Sequence, residues 1–257
     1  MQTLLRYLGT LIDVSGRTLG AAARELGLVA AIAIVAGGSW IFVEVSEEVV
    51  EGETHALDRA LILALRNPAD PGDPVGPGWV EELGRDVTAL GGVGVLTYVT
   101  LAVVVYLVLQ RQRRAALYVA AAIALGMLIS FALKTGFDRP RPELVPHGSL
   151  VYTSSFPSGH SMMAALVYLT LGVLLARLQP RRQLKAYVIG LAVLTALAVG
   201  ISRVYLGVHW PTDVVAGWVA GAVWAMTCWT VALWLQRRRA VEPTARDHDA
   251  AATRRGP

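Results

Sequence analysis

The sequence predicts an all-α fold, a polytopic membrane protein with six transmembrane helices whose core bundle carries a functional site at the outer membrane face. Three observations predict it. Apolar residues make up 54% of the 257 residues and charged residues only 16%, and the mean hydropathy is +0.51. Several apolar runs approach the ~20 residues that a helix needs to cross a bilayer. Polar segments rich in arginine and histidine separate these runs on one predicted side.

The chain divides into three predicted parts. Residues 1–25 carry leucines at helical spacing, which is typical of an amphipathic helix on the membrane surface. Residues 26–239 form the six-helix membrane domain, whose first span is predicted at 26–43. Residues 240–257 are polar and are predicted to be a disordered cytoplasmic tail.

The segment 44–86 is acidic and polar, and it is expected to lie outside the membrane. Within it, four apolar residues are predicted to form one side of a short packed helix: Leu57, Leu61, Ile62 and Leu65. The stretch 66–78 repeats Pro and Gly, which predicts irregular structure. The sequence leaves open whether this segment covers the site or only connects two spans.

The remaining spans are predicted at 87–109, 115–133, 161–176, 186–201 and 214–235. Arginine and lysine clusters follow the second, fourth and sixth spans, and such clusters favour the cytoplasmic side. Both termini are therefore predicted to be cytoplasmic. The polar motif segments would then share the opposite, periplasmic or extracellular, face of the cytoplasmic (inner) membrane.

The segment 202–213, SRVYLGVHWPTD, places ionisable groups between two apolar runs. Such groups are costly at a membrane boundary unless a function retains them. Pro211 is well placed to be the first residue of the next helix, so Asp213 would lie two residues into it and reach back to His209. A carboxylate on one ring nitrogen fixes the tautomer and leaves the other nitrogen available as a base, nucleophile or metal ligand.

Cationic side chains and a predicted helix start accompany this histidine on the same membrane face. The candidate anion-binding residues are Lys134, Arg139, Arg141, Ser158, Gly159 and Arg203. Arginine forks and lysine charges match tetrahedral oxyanions, and backbone N–H groups at a helix start add donors. The expected ligand is a phosphate. With Asp213 assigned to His209, few carboxylates remain for a metal, so the chemistry is expected to need no metal ion or cofactor.

Phosphoryl transfer needs a nucleophile and a proton source for the leaving oxygen. His209, oriented by Asp213, is predicted to attack phosphorus and form a phosphohistidine. His160, at the positive end of a helix, is predicted to protonate the leaving oxygen and then activate water. The cations would hold the equatorial oxygens as charge spreads over them.

Three motifs carry a resemblance to a known family. They are Lys134 with Arg141-Pro142, the run PSGH at 157–160, and Ser202-Arg203 followed by His209 and Asp213. Together they resemble the three-part pattern of the type 2 phosphatidic acid phosphatase family. The resemblance implies His209 as nucleophile, Asp213 as its partner and His160 as acid/base. It also implies phosphate contacts from Lys134, Arg141, Ser158, Gly159 and Arg203; Arg139 lies outside the strict pattern.

The expected function is hydrolysis of a lipid phosphate within the bilayer. Candidate substrates, by the same resemblance, are undecaprenyl diphosphate, phosphatidylglycerol phosphate and phosphatidic acid. Three alternatives stay open at this point: a phosphotransferase that uses the same site, a phosphatase acting on soluble esters, and a lipid or anion transporter. The sequence does not indicate an oligomeric state.

Other features favour plainer interpretations. The formal charge of +4 is expected of basic membrane loops, and since no aromatic-interleaved basic patch accompanies it, nucleic acid is not an expected partner. The single cysteine, Cys228, excludes an intrachain disulfide. Three histidines are expected to be structural: His55, His147 and His248. Trp210 is predicted to lie in the interfacial aromatic belt.

Overall fold

The computed structural model describes residues 2–143 and 154–237, with side chains for residues 27–143 and 154–235. The elements are α1 (Gln2–Glu51), α2 (His55–Leu63), β1 (Arg66–Asn67), β2 (Asp70–Pro74), α3 (Gly78–Ala89), α4 (Val93–Leu109), α5 (Arg113–Gly136), α6 (Gly159–Leu178), α7 (Arg182–Tyr205) and α8 (Pro211–Arg237). The predicted residues His147 and His248 and the predicted tail at 240–257 lie outside the described residues.

The described chain contains five single helices that are long and apolar enough to cross a membrane. They are Gly27–Glu51, Arg113–Gly136, Gly159–Leu178, Arg182–Tyr205 and Pro211–Leu235. The pair α3–α4 passes the same test when its two helices are taken as one span. The predicted all-α, six-span architecture is therefore confirmed, with a broken helix as its second span.

The first two spans differ from the prediction. The first span does not end at residue 43, because α1 continues to Glu51 through the acidic residues that open the predicted loop. Helix α1 is continuous from Gln2 through this first span. The second span is two helices that meet at a 47° bend, and α4 alone is about 25 Å long at 1.5 Å per residue.

The outer segment between α1 and α3 is more ordered than its Pro and Gly content predicts. The predicted short helix is present as α2, but it buries Asp58 and Ile62, while Leu57 and Leu61 are exposed. The predicted irregular stretch contains an antiparallel pair, β1–β2. This segment is fastened to the end of α7, where Arg66 Nη2 donates to the carbonyl of Tyr205 at 2.7 Å.

Helix α6 is the centre of the bundle and packs against both α7 and α8. Glycines on α8 allow this close approach. A Cβ at Gly221 would lie 2.4 Å from the carbonyl oxygen of Met162, and one at Gly217 would lie 2.7 Å from that of Ser158. The spacing of four residues puts both glycines on one face of α8, as in small-residue contacts between membrane helices. The close α6–α8 contact brings the starts of both helices together.

Candidate active site

The described parts of the three motif segments meet at one end of the bundle around a cavity of about 500 Å³. They arrive from the end of α5, the start of α6, the end of α7 and the turn before α8. The predicted site residues that line the cavity are Lys134, Arg141, Gly159, His160, Arg203 and His209. Side chains that lie 75 residues apart in the chain therefore share one space.

His209 and Asp213 form the contact that their spacing predicts. Asp213 is the third residue of α8, and its Oδ2 lies 3.3 Å from Nδ1 of His209. The same oxygen accepts the backbone N–H of Trp210 at 3.0 Å. An acid at this helical position commonly reaches back to the residue before the helix. Because a carboxylate only accepts, Nδ1 of His209 carries the proton and Nε2 carries the lone pair.

Burial keeps the His209 ring uncharged. Its side chain is 2% exposed. Burial lowers the pKa of His209 to about 3, and the hydrogen bond and charge of Asp213 oppose this shift without overcoming it. The neutral ring presents Nε2 to the guanidinium of Arg141, whose Nη1 lies 3.2 Å away. A guanidinium only donates, so this contact agrees with a lone pair on Nε2.

Two arginines of the cavity hold donors that have no acceptor. Arg203 donates from Nη1 to the hydroxyl of Thr88 at 3.1 Å, and Arg141 donates from Nη1 to the carbonyl of Val208 at 3.0 Å. Among the described residues, the buried Nε atoms of both arginines lack a hydrogen-bond partner. A buried donor without an acceptor costs about 1–3 kcal/mol. An oxyanion bound in the cavity is the kind of ligand that supplies such acceptors.

The side chain of Lys134 lies against Gly159 at the start of α6. Lys134 extends from the last turn of α5, and its Nζ donates to the carbonyl of Ser154 at 3.1 Å. A Cβ at Gly159 would lie 3.0 Å from Cε of Lys134, so a larger residue at the start of α6 would require the lysine side chain to shift. The start of α6 at Gly159 and the cationic side chain of Lys134 therefore lie next to each other.

The break between α3 and α4 forms one wall of the site. A Cβ at Gly91 would lie 2.4 Å from Cγ1 of Val199 and 3.2 Å from the carbonyl oxygen of His160. Gly91 and Val93 line the cavity. The other apolar lining residues are Leu96, Met127, Phe131 and Met163. The break within the second span thus contributes directly to the cavity, whereas no residue of the outer segment 44–86 lines it.

Three predicted site residues lie behind the cavity and do not line it. The backbone N–H of Ser158 donates to the carbonyl of Asp213 at 2.9 Å, and its hydroxyl accepts from Ser161. This differs from the expectation that the Ser158 N–H is directed at an anion. Arg139 donates to carboxylates on both sides, Asp58 and Asp213, at 2.6 Å each. Its position is that of a buried bridge, which differs from the predicted phosphate contact.

Trp210 is buried and not interfacial as predicted. It is 7% exposed, and its indole N–H donates to the carbonyl of Pro140 at 2.9 Å. The guanidinium of Arg139 lies 5.7 Å from its ring centre. The ring of His55 meets it edge-on at 5.3 Å, which agrees with a structural role for that histidine. Trp210 therefore packs beneath the His209 turn.

Sequence reasoning missed several residues that hold the site. Ser155 is fully buried, donates to Oδ2 of Asp213, and lies 3.3 Å from Nδ1 of His209. Its place two residues before the run PSGH is the one signal that points to it. Asp58 and Thr88 lie in segments without a motif, so nothing local marks them. Across the described residues, histidine, cysteine and carboxylates form no group of three or more that could hold a metal ion.

Comparison with protein families shows one match over the part of the chain that carries the site. The family model of the PAP2 superfamily matches residues 115–237. Phosphatidylglycerophosphatase B of Bacillus subtilis (strain 168) is 33% identical over 177 residues, which cover 67% of this chain and 79% of that protein. An undecaprenyl-diphosphatase of Sulfolobus acidocaldarius is 43% identical over 68 residues, which cover 26% of this chain and 29% of that protein.

The fold is also similar to a solved structure. The crystal structure of a transmembrane PAP2 type phosphatidylglycerolphosphate phosphatase from Bacillus subtilis superposes with a TM-score of 0.66 and 26% sequence identity. The match covers 79% of this chain and 98% of the other. The helical bundle and its connections are therefore shared over nearly the whole of that protein.

Proposed function

This chain belongs to the PAP2 superfamily and is a multi-pass membrane lipid phosphate phosphatase, and from that premise we propose that it cleaves its substrate through a phosphohistidine formed on His209. One observation carries the proposal. The Nε2 atom of a neutral, buried histidine lies next to Arg141 at a cavity that Lys134 and Arg203 also line. A nucleophile, an orienting carboxylate and charges for the phosphoryl oxygens are thereby assembled in one place.

In the first step, the Nε2 lone pair of His209 attacks phosphorus while the bond to the leaving oxygen breaks. Positive charge develops on the ring, and Asp213 at Nδ1 stabilises it. Lys134, Arg141 and Arg203 bind the phosphoryl oxygens, on which negative charge spreads. His160, on the first turn of α6, enters this step as the imidazolium beside the bound phosphate, gives one proton to the leaving oxygen and becomes neutral.

In the second step, His160 removes a proton from water, whose oxygen bonds to phosphorus as the phosphorus–nitrogen bond breaks. Inorganic phosphate leaves and His209 returns to its neutral form. The side chains of the cavity supply the positive charge throughout, so we propose a reaction that needs no metal ion or cofactor. Asp213 acts from behind the cavity as the orienting residue of His209, and the Ser158 side chain caps the start of α6, the helix that carries His160.

The substrate is proposed to be a phosphomonoester or diphosphate lipid whose tail extends past the apolar wall into the bilayer. Two candidates agree with the names of the relatives: phosphatidylglycerol phosphate and undecaprenyl diphosphate. Phosphatidic acid is the third, from the motif resemblance. The site is proposed to open on the periplasmic or extracellular side of the cytoplasmic membrane, with both termini in the cytoplasm.

The test is phosphate release by the purified protein in metal-free detergent solution, measured across these three lipids. His209→Ala is expected to reduce release to background for every lipid, because the attacking atom is removed. Vanadate, which mimics five-coordinate phosphorus, is expected to inhibit, and a chelator is expected to have no effect. His248→Ala, in the predicted tail, is the matched control and should retain full activity.

Retained turnover by His209→Ala would overturn the phosphohistidine mechanism. The wild-type protein, quenched during turnover of a lipid labelled at phosphorus, should carry acid-labile and base-stable label. A label that passes to an alcohol or a second lipid, with no free phosphate, would instead show a phosphotransferase that uses the same site.

A further inference from the structure

Asp58 is a buried carboxylate that belongs to none of the three motifs. It lies on α2 with no exposed surface. Its Oδ1 accepts the backbone N–H of Thr212 at 2.9 Å, and its Oδ2 accepts the Thr212 hydroxyl at 2.6 Å and Nη2 of Arg139 at 2.6 Å. A charge buried this fully is stable only when it is paired and hydrogen-bonded. Its three donors belong to Arg139 and the first turn of α8.

Arg139 joins this carboxylate to the catalytic one. Its Nη2 donates to Asp58, and its Nη1 donates to Oδ1 of Asp213 at 2.6 Å and to the hydroxyl of Thr212 at 2.8 Å. The guanidinium is a rigid planar fork, so both carboxylates are held at a fixed separation. The Arg139 side chain is 11% exposed and does not line the cavity. It therefore acts on the site through Asp213.

The two carboxylate oxygens of Asp213 have different hydrogen-bond partners. Oδ1 faces Arg139, whereas Oδ2 faces Nδ1 of His209, the backbone N–H of Trp210 and the hydroxyl of Ser155. Rotation of the carboxylate would exchange the two oxygens and break the contact to His209. Arg139 fixes the rotation, and Asp58 fixes Arg139 on its other side. Asp58 also takes part of the charge of Arg139 that would otherwise fall entirely on Asp213.

We propose that Asp58 and Arg139 are positioning residues for the nucleophile: they hold Asp213 in the rotation that orients His209 and keep its Oδ2 a strong acceptor as the ring becomes positive. The proposal rests on the proposed role of His209. It also assigns a function to the outer segment between α1 and α3, which supplies Asp58. A short helix outside the motifs then forms part of the catalytic machinery.

The test compares Asp58→Asn with the wild type. Asparagine keeps the shape and the acceptor for Thr212, but it lacks the charge that balances Arg139. We expect kcat to fall at least about tenfold and KM to change less than about threefold, because the substrate contacts are intact. The rate of His209 phosphorylation, measured by rapid quench with labelled lipid, should fall by the same factor as kcat. Glu53→Gln removes an exposed carboxylate of the same segment and should leave all three quantities unchanged.

A role limited to fastening α2 would give a different result. In that case Asp58→Asn would lower the thermal unfolding midpoint while kcat per folded molecule stayed at the wild-type value, and the proposal would be overturned. Arg139→Lys is the second variant, because an ammonium keeps the charge but does not bridge two carboxylates. Its kcat should also fall with KM unchanged. A wild-type kcat in Arg139→Lys would overturn the proposal even if Asp58→Asn fails to fold.

A double-mutant cycle tests whether Asp58 acts on the site through Arg139. If Asp58 works through Arg139, the kcat loss in the variant carrying both Asp58→Asn and Arg139→Lys should be well below the product of the separate losses. Multiplicative losses would contradict the shared route. The failure of this inference is distinguishable from failure of the proposed function: an active His209→Ala removes the phosphohistidine, whereas an inactive His209→Ala beside a fully active Asp58→Asn removes only the positioning role.

Discussion

At the scale of single residues, His209 combines two properties that usually exclude each other. Its ring becomes positively charged during the proposed reaction, although burial keeps the ring neutral beforehand. Asp213 reconciles the two, because its carboxylate holds the Nδ1 proton and is already in place when charge develops. The neutral ring has a consequence for stability as well as for reactivity.

The pH dependence of stability follows from this lowered pKa. Burial holds the pKa of His209 at about 3, below the value of about 6.5 in an unfolded chain. The unfolded state therefore binds more protons between these values, and stability present above pH 6.5 is lost as the pH falls toward 3. By pH 5 this loss is about 2 kcal/mol.

The measurement is the thermal unfolding midpoint in detergent at pH 7 and pH 5. His209→Gln has no ring to protonate, so its midpoint should fall less than that of the wild type over this range. Parallel falls in the two proteins would show that His209 does not carry the effect.

The residues of the site were predictable from the sequence where their contacts are local. Asp213 reaches His209 across one helix start, so spacing alone predicts that contact. Asp58 contacts Thr212 across 154 positions of sequence separation, and no short-range pattern encodes such a pair. The partners of Arg139 were not predictable for the same reason, because only the fold brings Asp58 and Asp213 beside its side chain.

At the scale of elements, the contact between α6 and α8 determines the geometry of the site. Both helices begin at the cavity, and the carbonyl of Asp213 accepts the backbone N–H of Ser158 across this contact. Gly217 and Gly221 let the two backbones come close. The separation of these helices therefore sets the distance between the PSGH segment and the His209 turn.

Gly221→Ala tests this dependence. The added Cβ would meet a backbone oxygen at 2.4 Å, which no side-chain rotation relieves, so the helices must separate. We expect a stability loss of about 1–3 kcal/mol, as for overpacked cores, together with lower activity per folded molecule. The matched control is Gly190→Ala on α7, where a Cβ meets nothing within 4 Å. Unfolding midpoints and phosphate release measure both effects, and equal behaviour of the two variants would contradict the argument.

The helices themselves were predictable to within a few residues because their apolar runs are long. The second span was not, since hydropathy does not register a bend within an apolar run. Its signal was the pair Gly91-Gly92, which falls at the break between α3 and α4. Hydropathy does not predict the continuation of α1 to Glu51, because acidic residues end an apolar run without ending a helix.

At the scale of the whole molecule, the cavity and the basic clusters lie at opposite ends of the bundle. The cavity is built at the ends of α5 and α7 and the starts of α6 and α8. The basic residues of the α6–α7 connection, among them Arg181 and Arg182, lie at the other ends of these helices. By the bias of basic residues, that end is proposed to face the cytoplasm and the cavity to face outward.

Accessibility of introduced cysteines checks this orientation. The background is Cys228→Ser, which removes the single native thiol. In right-side-out vesicles, a membrane-impermeant maleimide should label Asp70→Cys in the exposed β2 strand. It should label Arg181→Cys, between α6 and α7, only after detergent is added. The reverse pattern would place the site on the cytoplasmic face.

The cluster of Lys134, Arg141 and Arg203 also bears on how a catalytic cycle ends. These like charges repel one another, and any tetrahedral oxyanion relieves that repulsion, whether or not it carries a tail. The cleaved product, inorganic phosphate, therefore retains much of the attraction that brought the headgroup in. Preference for a fresh lipid over this product must come from the hydrocarbon chain. We therefore expect free phosphate to compete with lipid binding and to slow the enzyme when it accumulates.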